Sequence, residues 1–299
     1  MLYGIIDVGS NTIRLNIYSY NEKQVQSLLH KKTMAGLAGY VTDGYLSSKG
    51  IKIACSTIND YKNILLNFNI KNIYAFATAS LRNIINTDEV VRNIYEETGL
   101  SIDVISGEEE ATLGYKGAAL QTNMETGLYI DIGGGSTELV TFENRQITRA
   151  VSLPIGSLSM YSKHVKKLFP KKEELTAIKE NVAQELHKIQ LGEKQQFSTI
   201  CGVGGTIRAT KKLYDNLFSE QPAEEFLTHS IHDLLQSLHK ADKKLLRRVL
   251  QTVPERVHTI VPGMIILDLI ARHYGSKKIK VSPFGVREGY LYTKVLKEG

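Results

Sequence analysis

Two stretches of this sequence read alike: Tyr3-Gly-Ile-Ile-Asp7-Val-Gly-Ser-Asn-Thr12 near the start, and Leu128-Tyr-Ile-Asp131-Ile-Gly-Gly-Gly-Ser-Thr137 near the middle. In each, a short apolar run ends in an aspartate, with glycine and small polar residues just after it. Such a run reads as a buried strand, which places the carboxylate at the mouth of a sheet. The glycines admit φ > 0 and leave no side chain between the backbone N–H groups and a ligand. Gly9, Ser10, Asn11 and Thr12 in the first turn, and Gly133, Gly134, Gly135, Ser136 and Thr137 in the second, then form cradles for phosphate oxygens. An aspartate cannot face phosphate directly at low cost, so Asp131, and Asp7 as a further candidate, are expected to act through a divalent metal or an ordered water. One such turn could equally be a hairpin turn that needs Gly and Asn for backbone reasons. Two, at the same place in two similar blocks, favour the phosphate reading.

Working outward, residues 3–8, 13–18 and 24–30 read as strands. Glycines 36, 39 and 44 mark a loop, and Ser47 begins a helix whose apolar positions Ile51, Ala54, Ile58, Tyr61, Leu65 and Phe68 recur every three or four residues. Strands at 72–76 and 103–105 alternate with helices that begin near Thr87 and Gly107. The plan restarts at 127–131, with strands at 138–142 and 146–154, a helix at 171–190 and a strand at 198–201. A mostly helical remainder contains a strand at 278–282 and a closing helix after Gly285. Two blocks, each opening with strand, aspartate and glycine turn, predict a duplicated α/β fold. Residues 1–121 are expected to form the first domain and 122–299 the second, with a cleft between them and the closing helix (about 286–299) packed back on the first.

A chain of 299 residues suits about two domains. Its 42% hydrophobic and 23% charged residues exclude a disordered or fibrous protein. No apolar run approaches the ~18 residues that span a bilayer, and the N-terminus lacks a signal-peptide layout. Cys55 and Cys201 sit in apolar patterns and read as reduced buried thiols, which fits a cytoplasmic protein without membrane contact. The net charge of +6 favours an anionic substrate. Basic residues gather at Lys163, Lys166, Lys167, Lys171 and Lys172, and at Lys240, Lys243, Lys244, Arg247 and Arg248, though either cluster alone also reads as a solvated helix face. Neither zinc-finger spacing nor a base-stacking motif is present, so nucleic acid is not an expected partner. A P-loop motif is absent as well.

These motifs closely resemble the exopolyphosphatase / guanosine-pentaphosphate phosphohydrolase (Ppx/GppA) family. The resemblance rests on the two turns and on Ala77-Thr-Ala-Ser-Leu-Arg82, Ile105-Ser-Gly-Glu-Glu-Glu-Ala111, Leu153-Pro-Ile-Gly-Ser157, Gly202-Val-Gly-Gly-Thr206, Ile260-Val-Pro-Gly263 and Val281-Ser-Pro-Phe-Gly-Val-Arg-Glu-Gly289. It implies two actin-like ATPase (ribonuclease H-like) domains and hydrolysis of terminal phosphates from polyphosphate or pppGpp, with Mg²⁺ or Mn²⁺. By resemblance Glu109 is the catalytic base, with Glu110 as the fallback. Glu138 positions the water or the metal, and Arg82 and Arg287 lie near bound phosphate, where a planar guanidinium can take two oxygens at once. Ser106 and Glu109 also form a capping-box pattern, so a purely structural Glu109 stays open. Glu138, Arg82 and Arg287 likewise read as ordinary surface charges.

Gly204 and Gly205 open a helix after a strand, an anion-binding arrangement but not a dinucleotide fingerprint. His229, His232 and Asp233 lack partners at the spacing a metal-dependent His-Asp site needs. The chain stops at Gly299 without the C-terminal helical extension of long family members, which leaves processivity and a homodimer undecided. Exopolyphosphatase is the leading expectation and a pppGpp 5′-phosphohydrolase the second. An ATP-dependent phosphotransferase or a non-catalytic polyphosphate or nucleotide sensor of the same fold are the rivals.

Overall fold

The computed structural model describes residues 1–21, 24–189, 195–218, 225–239 and 243–298. Lys240, residue 190 and Gly299, which enter the expectations above, lie outside the described residues. The chain divides into two compact units, Met1–Glu110 with Tyr290–Gly299, and Ala111–Gly289.

The first unit contains β1 (Leu2–Val8), β2 (Ile13–Asn21), β3 (Gln24–Thr33), a small hairpin of β4 (Val41–Thr42) and β5 (Tyr45–Leu46), and α1 (Ser48–Asn67). Then come β6 (Ile73–Ala77), α2 (Ala79–Arg82), α3 (Thr87–Thr98), β7 (Ile102–Val104) and the start of α4 (Gly107–Ala119). Its sheet runs β3-β2-β1-β6-β7, antiparallel through β1 and parallel from β1 to β7. β1 is central and buried on both faces from Tyr3 onward, which is why it reads as a continuous apolar run instead of an alternating one. β3 is one edge; it is largely exposed and carries Lys31 and Lys32, charges that discourage edge-to-edge pairing. The α1 stripe of Ile51, Ala54, Ile58, Tyr61 and Leu65 is buried, with Cys55 beside it. Phe68 is not part of that stripe: the helix ends at Asn67, and Phe68, its C-cap, is 61% exposed.

The second unit continues α4 and adds β8 (Gly127–Ile132), β9 (Thr137–Glu143), β10 (Gln146–Leu153), α5 (Ser157–His164), α6 (Lys172–Lys188), β11 (Thr199–Val203) and α7 (Gly204–Phe218). β12 (Glu225–Leu227), α8 (His229–His239), α9 (Lys243–Thr252), α10 (Ile260–His273), β13 (Lys278–Val281) and α11 (Val286–Tyr290) complete it. Its sheet runs β10-β9-β8-β11-β13-β12. The first five repeat the order of the other unit, and β12 adds an antiparallel edge that three residues are too few to announce in sequence. Both sheets thus carry the actin-like strand order, and the fold class is the one expected. The core gathers on α10, apolar nearly all round, as a helix covered on every side must be. Pro262 fits there because it falls in the first turn, where a backbone N–H has no intrahelical acceptor. No helix among the described residues is long and apolar enough to cross a membrane.

Both cysteines are free and buried. Burial pushes the Cys55 thiol up to about 11 and the Cys201 thiol up to about 12, so thiolate is scarce at neutral pH. The native protein should therefore leave both thiols unmodified by a thiol-disulfide reagent at pH 8, and denaturant should expose two per chain. Fast labelling of the native protein would contradict this packing.

Candidate active site

The two glycine turns are built by the same hydrogen bonds. Gly9 N–H donates to Thr12 O at 3.2 Å, and Gly133 N–H donates to Ser136 O at 2.9 Å. The carbonyls of each turn are tied down from the side. Ser10 O and Asn11 O accept from Ala38 N and Gly36 N at 2.9 Å each. In the second unit Gly133 O accepts from Ser157 N at 2.9 Å, and Gly134 O from Leu158 N at 3.0 Å and Ser159 N at 2.9 Å. The first N–H groups of α5, which have no acceptor inside their helix, thus hold the turn. Gly156 has to be glycine because a Cβ there would meet the backbone of Gly134.

Gly9, Ser10 and Asn11, and likewise Gly133, Gly134 and Gly135, stand partly exposed at the tips, whereas Thr12, Ser136 and Thr137 are buried. The Thr137 hydroxyl, expected as a phosphate donor, gives its single O–H to Ile155 O at 2.6 Å. It braces the turn from below.

The strands place one residue opposite each aspartate, on the same sheet face. Opposite Asp7 stands Arg14, whose Nη1 lies 3.4 Å from Asp7 Oδ2. Opposite Asp131 stands Glu138, 2% exposed, whose Oε1 accepts from Ser152 Oγ at 2.8 Å. The first turn therefore presents an acid–base pair and the second a pair of acids. Two hard carboxylates beside a phosphate-type turn suit Mg²⁺ or Mn²⁺, ions that commonly take one or two carboxylates and complete their shell with water and substrate oxygens. Among the described residues no group of three or more His, Cys, Asp or Glu is placed to hold a metal by protein ligands alone. His229, His232 and Asp233 are included in that statement. Asp131 is closely bounded by Gly204, at φ +91°, where a Cβ would sit on Asp131 Oδ1.

Gly204 and Gly205 open α7 directly after β11, as expected. The Arg256 guanidinium lies against Gly205, in the space a Cβ there would take. The sequence does not mark Arg256, because no spacing rule links it to a glycine so distant in the chain. Arg287 is half-buried on α11, where the Glu288 carboxylate caps the helix by accepting from Gly285 N at 2.8 Å.

In the first unit three consecutive glutamates open α4, where the helix dipole favours negative charge. Ser106 Oγ accepts from Glu109 N at 3.1 Å, so the cap half of the expected box is present. The Glu109 side chain, one-third exposed, pairs with Lys294. Glu110 is enclosed by Arg82, whose Nη1 lies 2.7 Å from Glu110 Oε2 and also donates to Ile105 O at 3.2 Å. Lys294, like Arg256, is a residue that sequence reading missed.

A family model described as the Ppx/GppA phosphatase family matches residues 16–298. The chain is 29% identical over 300 residues to a bifunctional 3-dehydroquinate synthase/phosphatase of Fusobacterium nucleatum, covering 93% of this chain and 44% of that protein. It is 29% identical over 304 residues to a guanosine-5′-triphosphate,3′-diphosphate pyrophosphatase of Vibrio atlanticus, covering 98% of this chain and 59% of that one. The chain thus spans about half the length of the curated relatives it matches. Among solved structures, a Ppx/GppA family member of Aquifex aeolicus superposes with a TM-score of 0.82 at 27% identity, covering 100% of this chain and 99% of that one.

Gly204→Ala combines a positive φ with a Cβ placed on Asp131. It should lower unfolding stability by about 1–3 kcal/mol. Chemical denaturation checks this, and a variant as stable as the parent would overturn this account of the glycine.

Proposed function

The chain belongs to the Ppx/GppA phosphatase family, and we propose that it hydrolyses the terminal phosphoanhydride of inorganic polyphosphate, releasing orthophosphate. The observation that carries this reading is the division of labour at the start of α4. Glu110 is shut in by Arg82, whereas Glu109 is partly open and held by a single lysine. A general base needs an accessible carboxylate within reach of water, which supports Glu109 in that role. Its presence favours water as the acceptor over a sugar or ADP.

In this reading the glycine turns hold phosphate oxygens through backbone N–H groups, with Arg82 and Arg287 as further phosphate ligands. Glu109 orients a water and takes its proton as the water oxygen bonds to the terminal phosphorus. The bridging P–O bond breaks, and the shortened chain leaves with that oxygen as an anion. Asp131 and Glu138 would hold a divalent cation, which offsets charge on the phosphoryl oxygens. Asp7 is left out of that ligand set because Arg14 already meets its carboxylate.

A second reading, a pppGpp 5′-phosphohydrolase, is favoured by the name of the Vibrio atlanticus relative. Phosphate release should be measured from polyphosphate and from pppGpp, each with Mg²⁺ and with Mn²⁺. Faster release from polyphosphate is expected; faster release from pppGpp selects the second reading, and release from neither removes both. Glu109→Gln should lower kcat by about 10²–10⁴-fold with polyphosphate binding retained. Unchanged turnover would leave Glu109 a structural cap.

A further inference from the structure

We propose that Lys294 is a positioning residue that fixes Glu109 for proton abstraction, an inference that rests on Glu109 being the base. Beyond α11 the chain forms a π-helical turn, Leu291–Val295, within the first unit. Two contacts dock it there. The Tyr290 ring stacks on Phe76 of β6, with centroids 4.6 Å apart and planes 25° apart. Tyr20 Oη, at the far end of β2, donates to Glu298 Oε1 at 2.7 Å. Between these anchors Leu291 is fully buried and Lys294 projects its ammonium to Glu109 Oε1 and, at 3.5 Å, to Asp103 Oδ2 on β7.

The ammonium therefore bridges β7 and the first turn of α4. A glutamate has three rotatable side-chain bonds, and one partly exposed at a helix start samples many directions. A cation held from a second element narrows that range. Two of the three acids in this turn sort by partner: Arg82 takes Glu110 and Lys294 takes Glu109. Lys294 meets Glu109 as a point charge rather than a planar guanidinium, and Asp103 anchors that ammonium from β7. The hydrogen bond to Glu109, with the charge of Asp103 behind it, holds the Lys294 amine above the ordinary lysine range, so it stays charged.

A nearby cation also makes a carboxylate a weaker base, which opposes the gain from orientation. At one-third exposure water and salt screen that electrostatic effect, whereas misplacing a catalytic group carries the larger penalty. Lys294→Met should therefore lower kcat for polyphosphate about tenfold, with KM changed less than about twofold and Tm held within about 2 °C. Lys294→Arg should restore most of kcat. In a Glu109→Gln background Lys294→Met should cause no further loss.

A parental kcat in Lys294→Met, with Glu109→Gln inactive, overturns the positioning role alone. A raised KM with unchanged kcat does the same and makes Lys294 a substrate contact. An equal loss in both backgrounds shows that Lys294 acts independently of Glu109 and also overturns the proposal. Full turnover in Glu109→Gln removes the base assignment and this inference with it.

Discussion

Each unit depends on one backbone hydrogen bond, the N–H···O=C contact that closes the turn after its first strand. Gly9 to Thr12 and Gly133 to Ser136 are the same bond made twice. It ends a strand in the middle of its sheet, reverses the chain into an antiparallel neighbour and leaves an aspartate near that strand's C-terminal end. The neighbouring carbonyls are held by N–H groups from a short helix or its approach, so the turn is braced by the protein's own hydrogen bonds. A cradle organised in advance binds an anion without first having to order itself.

From this shared frame the two units diverge through one position. Arg14 and Glu138 occupy equivalent places opposite the aspartates, and they give the turns opposite characters. A guanidinium next to Asp7 makes the first turn self-compensated. Glu138 opposite Asp131 sets two carboxyl groups side by side, an oxygen-donor pair of the kind that hard divalent cations take.

Charge pairing also separates the glutamates at the start of α4, which sequence alone leaves interchangeable. All three share the helix dipole and the same local sequence. They differ in what lies over them: Arg82 from the end of α2 on one, Lys294 from the returning C-terminal segment on another. The division is enforced by tertiary packing, since Lys294 reaches Glu109 only because Tyr290 and Leu291 are buried against the first unit.

The sequence by itself determined the repeated strand–aspartate–glycine plan, the burial of β1 and β8 and the apolar stripe of α1. These follow from local periodicity and from residues whose backbone preferences are strong. It also placed Gly204 and Gly205 at a helix start after a strand, and it marked Glu109 and Glu138 by their family context. Only the tertiary structure decided that Phe68 leaves the core, that β12 extends the second sheet, and that the Thr137 hydroxyl braces its turn. The pairings of Asp7 with Arg14, Gly205 with Arg256 and Glu109 with Lys294 are of the same kind. Each depends on residues brought together by sheet register or by the packing of distant segments, and neither hydrophobic period nor turn chemistry records which distant side chain arrives at a given place.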